Sequence, residues 1–210
     1  MDSVSTRHEG FNDGTAIGRW AGMTAAPSFR VPKTIALVGL MGAGKSSIGR
    51  RLAQRLGLPF IDADSEIEAA ADATVEEIFQ RHGEAAFRDG ERRVIARLLD
   101  SPVHVLATGG GAFMDATTRT LIRARAVSVW LRADIELMLA RVGRRSNRPL
   151  LKGGDPRAVL QQLIAQRYPI YAEADITVDS VDGPPDATLE RVMAALAARL
   201  GGAGERQAAP

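Results

Sequence analysis

The sequence predicts an α/β protein built on a parallel sheet that is covered by helices on both faces. Short apolar runs alternate with helical patterns along the folded part of the chain, and this alternation is typical of such sheets. A glycine-rich segment follows the first apolar run, an aspartate pair follows the second, and three consecutive glycines follow the third. Ligands bind at the carboxyl ends of the strands in open parallel sheets, so we expect these three motifs to lie together.

The individual elements can be placed in order along the chain. Short apolar runs predict five strands, at residues 34–38, 59–61, 103–107, 126–131 and 176–178. Helical patterns between them predict helices at residues 46–56, 74–83, 84–99, 134–142 and 186–200, and another that includes Arg167. Gly57 and Pro59 are expected to end the first helix, and Thr74 with Glu77 forms the capping-box pattern that begins the second.

One domain accounts for most of the 210 residues. It is expected to span residues 33–200, between a disordered extension over 1–32, which lacks periodicity, and a loose tail over 201–210. The chain has no cysteine, which excludes a disulfide framework and fits a reducing, cytoplasmic compartment. No apolar run approaches about 18 residues. We therefore expect no membrane partner. The formal net charge is only +2, so we expect no nucleic-acid partner. We also expect a monomer.

Residues 39–46 match the pattern G-x-x-x-x-G-K-[ST] of a phosphate-binding P-loop. The segment lies between a predicted strand and a predicted helix, as the motif requires. Its glycines let backbone N–H groups close around phosphate oxygens, and the helix N-terminus adds the positive end of a dipole. Lys45 is expected to reach the β- and γ-phosphates of ATP, and Ser46 to ligate Mg²⁺. The residues expected to bind the nucleotide here are Gly42, Ala43, Gly44, Lys45, Ser46 and Ser47.

Asp62 and Asp64 follow the second predicted strand. If both residues are extended, their side chains leave the same face of the strand. Beside a nucleotide, one carboxylate can hold Mg²⁺, directly or through water, and the other can bind a substrate hydroxyl and help take its proton. The alternative is a solvated turn in which Asp64 or Ser65 caps the next helix.

Arg88 and Glu91 lie three residues apart on a predicted helix and can touch. Either Glu91 orients Arg88 toward an anion, or the two form an exposed pair worth less than about 0.5 kcal/mol. Residues 109–111 are three glycines directly after a strand. They allow close backbone approach to a ligand or form a nest of N–H groups for an anion, and the alternative is a flexible connector.

The segment over residues 143–155 contains Arg144, Arg145 and Arg148 among several glycines. It is either solvated surface or a lid that closes over transferring phosphates, with an arginine that stabilises their charge. Arg167 adds a further cation near a helix C-terminus. Together these motifs predict an ATP site beside an acceptor site for a small hydroxylated acid, and the motifs alone do not select which acid.

The chain resembles the shikimate kinases. The matching segments are LVGLMGAGKSSIGRRLA, FIDADSEIE, FRDGE, ATGGGAF, RPLL and RYPIY, in the family's order and spacing. The resemblance implies a three-layer P-loop kinase fold, like that of nucleoside monophosphate kinases, with a five-stranded parallel sheet in the order 2-3-1-4-5 and a lid loop over about residues 143–155. It also implies ATP-dependent phosphorylation of the 3-hydroxyl of shikimate, a step toward chorismate and the aromatic amino acids.

The resemblance further implies roles for individual residues. Lys45, Asp64 and Arg148 are expected to be catalytic, and Asp64 is the candidate base. Mg²⁺ is expected on Ser46 and, through water, on Asp62. Arg141 and Arg148 are also expected to contact ATP, and Arg141 is expected to pack on its adenine. The residues expected to hold shikimate are Asp64, Arg88, Gly109, Gly110, Gly111 and Arg167.

Three other functions compete with this interpretation, and the weakest is an adenylate-kinase-like enzyme, since nothing in the sequence indicates a site for a second nucleobase. A gluconate-type sugar-acid kinase shares the P-loop and also binds a hydroxylated carboxylate, but the segments FRDGE, GGG and RPLL argue against it. A catalytically retired module that only binds shikimate is the second alternative. Loss of Lys45, Asp64 or Arg148 would indicate such a module, and all three residues are present.

Overall fold

A sheet of five parallel strands lies at the centre of the computed structural model, which describes residues 29–142 and 155–204. The strand order β2-β3-β1-β4-β5 confirms the predicted fold class. Strand β1 is central, with Ile35 opposite Val105 on one side and Val127 on the other. The strands are β1 (Thr34–Val38), β2 (Phe60–Asp62), β3 (Val105–Ala107), β4 (Ala126–Arg132) and β5 (Ile176–Asp179).

Helices connect the strands and cover the sheet. Within the described ranges they are α1 (Lys45–Leu56), α2 (Ala63–Ala71), α3 (Val75–Leu99), α4 (Ala116–Arg125), α5 (Ile135–Val142), α6 (Pro156–Tyr171) and α7 (Pro185–Gly204). A short 3₁₀ turn, Ala112–Met114, precedes α4. No helix in these ranges has the length and apolar character needed to cross a membrane.

Strand β1 is buried along its whole length because helices pack on both faces of the sheet. Helix α1 packs there through Ile48, Leu52 and Ala53. Gly49 allows this helix to approach β2 closely, because a Cβ atom at that position would lie 2.5 Å from a ring carbon of Phe60. The sheet and α1 therefore hold the loop between β1 and α1 rigidly at the edge where the site lies.

Helix α3 is interrupted at Gly83, whose backbone (φ 78°, ψ 175°) is not helical. The two predicted helices, 74–83 and 84–99, therefore correspond to the two halves of α3. The predicted capping box is present, since Thr74 accepts from the Glu77 amide at 3.2 Å and Glu77 accepts from the Thr74 amide at 2.8 Å. The local sequence was sufficient to find both features.

Two helices depart from the predicted elements. The sequence predicts no helix over α4, whose first half contains three threonines, which are poor helix formers. Asp115 offsets this by accepting hydrogen bonds from the amide and the hydroxyl of Thr118. Helix α7 continues to Gly204, four residues into the segment 201–210 expected to be a loose tail.

The N-terminal boundary also differs from the expected residue 33. Phe29 and Val31 are half-buried and pack against the main core, whereas the expected extension covered all of residues 1–32. The intervening Arg30 is exposed. Two apolar side chains thus pack on the domain while the residue between them faces solvent. The folded part therefore begins at least four residues earlier than predicted.

A chain that starts at residue 33 is expected to be less stable than one that starts at residue 29. Removing Phe29 and Val31 exposes the apolar surface that they cover, at a cost of about 1–3 kcal/mol in the free energy of unfolding. Urea denaturation of the two truncated chains measures the difference directly. Substitution of exposed Arg30 by alanine is the control and should change stability little. Equal stabilities for the two chains would show that these contacts contribute nothing.

Candidate active site

The predicted motifs meet in one cleft of about 560 Å³ at the carboxyl ends of β1, β2 and β3. Every predicted site residue in the described ranges lines this cleft except Ala43, which is buried at 1% exposure. Arg148 lies outside the described residues, as do Arg144, Arg145 and the expected lid up to residue 154. Asp155, at its end, caps α6 by accepting from the Arg157 amide at 2.9 Å.

The P-loop connects β1 to α1 through glycines in left-handed conformations. Gly42 has φ 80° and Gly44 has φ 101°, values that side chains other than glycine's rarely adopt. The first turn of α1 contains no acidic residue, so the amides and the dipole at this helix N-terminus favour an anion. Lys45 donates from Nζ to the carbonyls of Gly39 at 2.8 Å and Leu40 at 3.0 Å, which places its ammonium group inside the loop.

Ser46 and Asp62 are brought together from α1 and β2. Ser46 Oγ donates to Asp62 Oδ2 at 2.7 Å, so a hydroxyl and a carboxylate converge beside the P-loop. Oxygen ligands of this kind suit Mg²⁺, which binds few protein groups and keeps several waters. Among the described residues no three carboxylate, histidine or cysteine side chains gather as a metal cage. The pair therefore fits a Mg²⁺ ion completed by water and phosphate oxygens.

Asp62 also caps α2, where the sequence pointed to Asp64 or Ser65. The Asp64 amide donates to Asp62 Oδ1 at 3.2 Å, and α2 begins at Ala63, directly after β2. Asp64 is thus helical, and the assumption that both aspartates are extended is wrong. Both still line the cleft, because the strand-to-helix turn directs them to the same side of the sheet.

The Arg88–Glu91 pair is part of the cleft and not an exposed surface pair. Arg88 Nη1 donates to Glu91 Oε2 at 2.7 Å, and Glu91 is only 3% exposed. Burial raises the pKa of Glu91, while the ion pair with Arg88 opposes that rise. Burial lowers the pKa of Arg88, but hydrogen bonds to Glu91 and Glu84 outweigh it, and the pKa is raised. Arg88 therefore stays charged and is held in one orientation.

Two of the three glycines leave room for the protein's own side chains. A Cβ atom on Gly109 would lie 2.6 Å from Glu91 Oε1 and 2.8 Å from Asp64 Oδ1. On Gly111 it would lie 2.5 Å from Arg88 Cζ and Nη2. The sequence attributed these glycines to a ligand, but their absent side chains first make room for Asp64, Arg88 and Glu91.

Arg141 joins the P-loop to the segment that follows β5. Its Nη1 donates to the Gly42 carbonyl at 3.2 Å and to Ser180 Oγ at 2.9 Å, and its Nη2 donates to the Val181 carbonyl at 2.7 Å. The guanidinium is therefore fixed beside the cleft, where its planar face can pack on a base. Sequence reasoning missed Ser180, which is distant from Arg141 in the chain and carries no motif.

Helix α6 contributes Arg167 to the lining of the cleft, and the buried Tyr171, one turn further on, shares the hydrogen-bond acceptor of Arg167. Arg167 Nη1 donates to the Gly110 carbonyl at 2.9 Å, and the Tyr171 hydroxyl donates to the same carbonyl. Tyr171 was missed, although the segment RYPIY that carries it was singled out for Arg167. An apolar wall was also missed. It is formed by Val75, Phe79 and Phe87, with the two phenylalanine ring centroids 4.5 Å apart.

The fold and this cleft define a P-loop kinase that acts on a small molecule. The family model described as shikimate kinase matches residues 41–197. The shikimate kinase of Paramagnetospirillum magneticum is 63% identical over 169 residues, 80% of this chain and 87% of its own. That of Caulobacter vibrioides strain NA1000 is 63% identical over 164 residues, covering 78% and 82%.

A solved structure agrees with these relatives. The structure described as shikimate kinase from Acinetobacter baumannii in complex with shikimate has a TM-score of 0.77 and 39% sequence identity. The match covers 80% of this chain and 94% of that one. This chain belongs to the shikimate kinase family.

Proposed function

We propose that this chain transfers the γ-phosphoryl group of ATP to the 3-hydroxyl of shikimate, giving shikimate 3-phosphate and ADP on the route to aromatic amino acids. One observation carries the proposal. A single cleft joins a P-loop to two arginines and a carboxylate, Arg88, Arg167 and Asp64. The arginines suit the carboxylate of a small acid, and Asp64 suits its hydroxyl groups.

The nucleotide occupies the half of the cleft formed by the P-loop in this proposal. The loop amides and Lys45 hold the phosphates, and Arg141 packs against the adenine. Ser46 and Asp62 hold Mg²⁺, Asp62 through water, and their convergence at 2.7 Å supports this assignment. When bound, Mg²⁺ neutralises charge that develops on the phosphoryl group. Lys45 supplies a second positive charge at the same place.

The acceptor occupies the other half of the cleft. Arg88 and Arg167 bind its carboxylate, and the amides of residues 109–111 line the same side. Asp64 accepts a hydrogen bond from the reacting hydroxyl, orients it, and takes its proton as the bond to phosphorus forms. The apolar wall of Val75, Phe79 and Phe87 faces the carbon ring and excludes water.

A substrate comparison tests the proposed function. ADP release is followed with ATP and Mg²⁺ in the presence of shikimate, quinate, gluconate or AMP, and ³¹P NMR identifies the product. Shikimate is expected to give the highest kcat/KM and a 3-phosphate ester. Faster turnover of gluconate would indicate a sugar-acid kinase instead. Shikimate binding without ADP release would indicate a binding module.

We also propose a cytoplasmic monomer that binds no nucleic acid. The absence of cysteine supports the reducing compartment, and the formal net charge of +2 supports the absence of a nucleic-acid partner. Light scattering coupled to size exclusion measures the mass in solution. A mass near 22.4 kDa is expected, and twice that value at micromolar concentration would contradict the monomer.

Replacing Glu91 by glutamine is expected to weaken shikimate binding without a comparable loss of stability. Burial raises the pKa of Glu91, and its Oε1 has no hydrogen-bond partner within the described residues. A raised pKa means that ionisation opposes folding, so any stability that this carboxyl contributes is lost as the pH rises through its folded pKa. Arg88 keeps a second partner in Glu84 at 3.2 Å.

We therefore expect the free energy of unfolding of Glu91→Gln at pH 7 to lie no more than about 1 kcal/mol below that of the parent, or to exceed it. The free energy of unfolding of the parent, relative to that of the variant, should be larger near pH 4 than at pH 7. The affinity for shikimate should fall about tenfold, because Arg88 loses its charged partner. Calorimetric binding and urea denaturation at the two pH values measure both effects. A large stability loss at pH 7 with unchanged affinity would contradict this balance.

A further inference from the structure

The Gly110 carbonyl is held by two donors that come from the same helix. Arg167 Nη1 donates to it at 2.9 Å, and the Tyr171 hydroxyl donates to it from the next turn of α6. Gly110 itself precedes these residues by about sixty positions in the chain. Helix α6 thus holds the Gly110 carbonyl from outside the glycine loop.

Tyr171 is unusually well placed to hold that carbonyl. Its side chain is fully buried, and its ring centroid lies 5.9 Å from that of Trp130 and 6.3 Å from that of Phe113. Burial raises the pKa of Tyr171 to about 12, so the phenol keeps its proton at neutral pH. Packing fixes the ring, and the hydroxyl therefore acts as a rigid donor.

Holding the Gly110 carbonyl also fixes the amide of the next residue. The described chain contains no cis peptide, and in a trans peptide the carbonyl and the N–H point in opposite directions. The Gly110 carbonyl points toward α6, so the Gly111 N–H points away from α6. No backbone carbonyl of the described residues accepts from that N–H, and Gly111 lines the cleft.

We infer that Tyr171 is a positioning residue for the acceptor, which it affects through the Gly110–Gly111 peptide and through Arg167. The hydroxyl fixes the plane of this peptide, so that the Gly111 N–H is directed at the bound acid. It also shares the Gly110 carbonyl with Arg167, which keeps the guanidinium beside the cleft. This inference rests on the proposed function, because it assumes that the acid binds against residues 109–111.

Tyr168 provides a matched control on the same helix. It is a half-buried tyrosine whose hydroxyl also donates to a backbone carbonyl, that of Ala133. Its ring centroid lies 4.9 Å from that of Trp130. Neither Tyr168 nor Ala133 lines the cleft. The two tyrosines therefore differ in whether the carbonyl they hold belongs to the site.

The experiment compares Tyr171→Phe with Tyr168→Phe in the full-length protein. Tyr171→Phe is expected to raise the Kd for shikimate about fivefold to tenfold, the effect of one hydrogen bond, and to leave the KM for ATP within about twofold. Tyr168→Phe is expected to leave both constants within about twofold of the parent, even if it lowers the melting temperature as much as Tyr171→Phe does. Equal effects of the two substitutions, or an unchanged Kd for shikimate in Tyr171→Phe, would overturn the inference.

Two further readouts keep the outcomes distinct. If the parent protein neither binds nor phosphorylates shikimate, the proposed function fails, whereas a normal parent with an unaffected Tyr171→Phe variant defeats only this inference. If Tyr171→Phe does not fold, ¹⁵N NMR of the parent decides. The Gly111 amide resonance should move on addition of shikimate and much less on addition of ADP. A Gly111 resonance unmoved by shikimate would overturn the inference.

Discussion

Replacing Lys45 by methionine is expected to lower kcat by about 10²–10³-fold while shikimate binding changes little. The Lys45 ammonium lies within the P-loop, 2.8 Å from the Gly39 carbonyl, and a neutral side chain of similar length cannot replace its charge. Charge on the transferring phosphoryl group is greatest in the transition state, so the loss falls mainly on turnover. The acceptor half of the cleft is formed by other residues and should remain intact.

Lys33→Met is the matched control for this experiment. Lys33 donates to the Ala124 carbonyl at 2.9 Å at the exposed end of the sheet, away from the cleft. The same change of side chain there should leave kcat within about twofold, as is usual for surface positions. A coupled assay gives kcat, and calorimetry gives the Kd for shikimate. Near-normal turnover in Lys45→Met would remove the P-loop from the proposed mechanism.

Replacing Gly111 by alanine is expected to abolish measurable shikimate binding, with a loss of about 100-fold or more. The added Cβ atom would lie 2.5 Å from Arg88 Cζ, so the guanidinium must move. We expect this movement to break its 2.7 Å hydrogen bond to buried Glu91 and to leave a buried charge unpaired. Arg88 is also proposed to bind the carboxylate of the acid. One added methyl group therefore disturbs both that contact and the hydrogen bond to Glu91 that orients Arg88.

Gly90→Ala is the control for this prediction. Gly90 lies in α3 close to Arg88, and a Cβ atom there would meet nothing within 4 Å. Alanine is the better helix former, so the variant should gain about 0.5–1 kcal/mol in stability and keep its affinity for shikimate. Calorimetric titration of both variants gives the comparison. Tight shikimate binding by Gly111→Ala would mean that Arg88 can move without consequence.

The fold and the P-loop half of the cleft could be predicted because their sequence signals are local. Strand β1, the P-loop and α1 form a continuous segment in which apolar runs, glycines and helical periodicity follow one another. The resemblance extended this to the strand order, which the structure confirms. Asp62 was singled out by its place after a strand, although its additional role as a helix cap was assigned to its neighbours.

The other half depends on contacts between distant parts of the chain. Gly109 and Gly111 leave room for Asp64, Arg88 and Glu91, and Tyr171 meets Gly110 across 61 positions. A sequence pattern gives no sign of such pairings, since a tyrosine on a helix looks the same whether it supports a site or a core. The packing of Phe29 against the core escaped prediction for a similar reason.

The central position of β1 has a consequence for how the enzyme is made. Its neighbours β3 and β4 begin about 70 and 90 residues later in the chain, so a nascent polypeptide carries a complete P-loop sequence long before either partner exists. Pairing over such separations makes folding slow compared with a helical bundle. ATP binding can therefore appear only after the ribosome has released β4. On dilution from denaturant, recovery of catalytic activity should coincide with formation of the sheet.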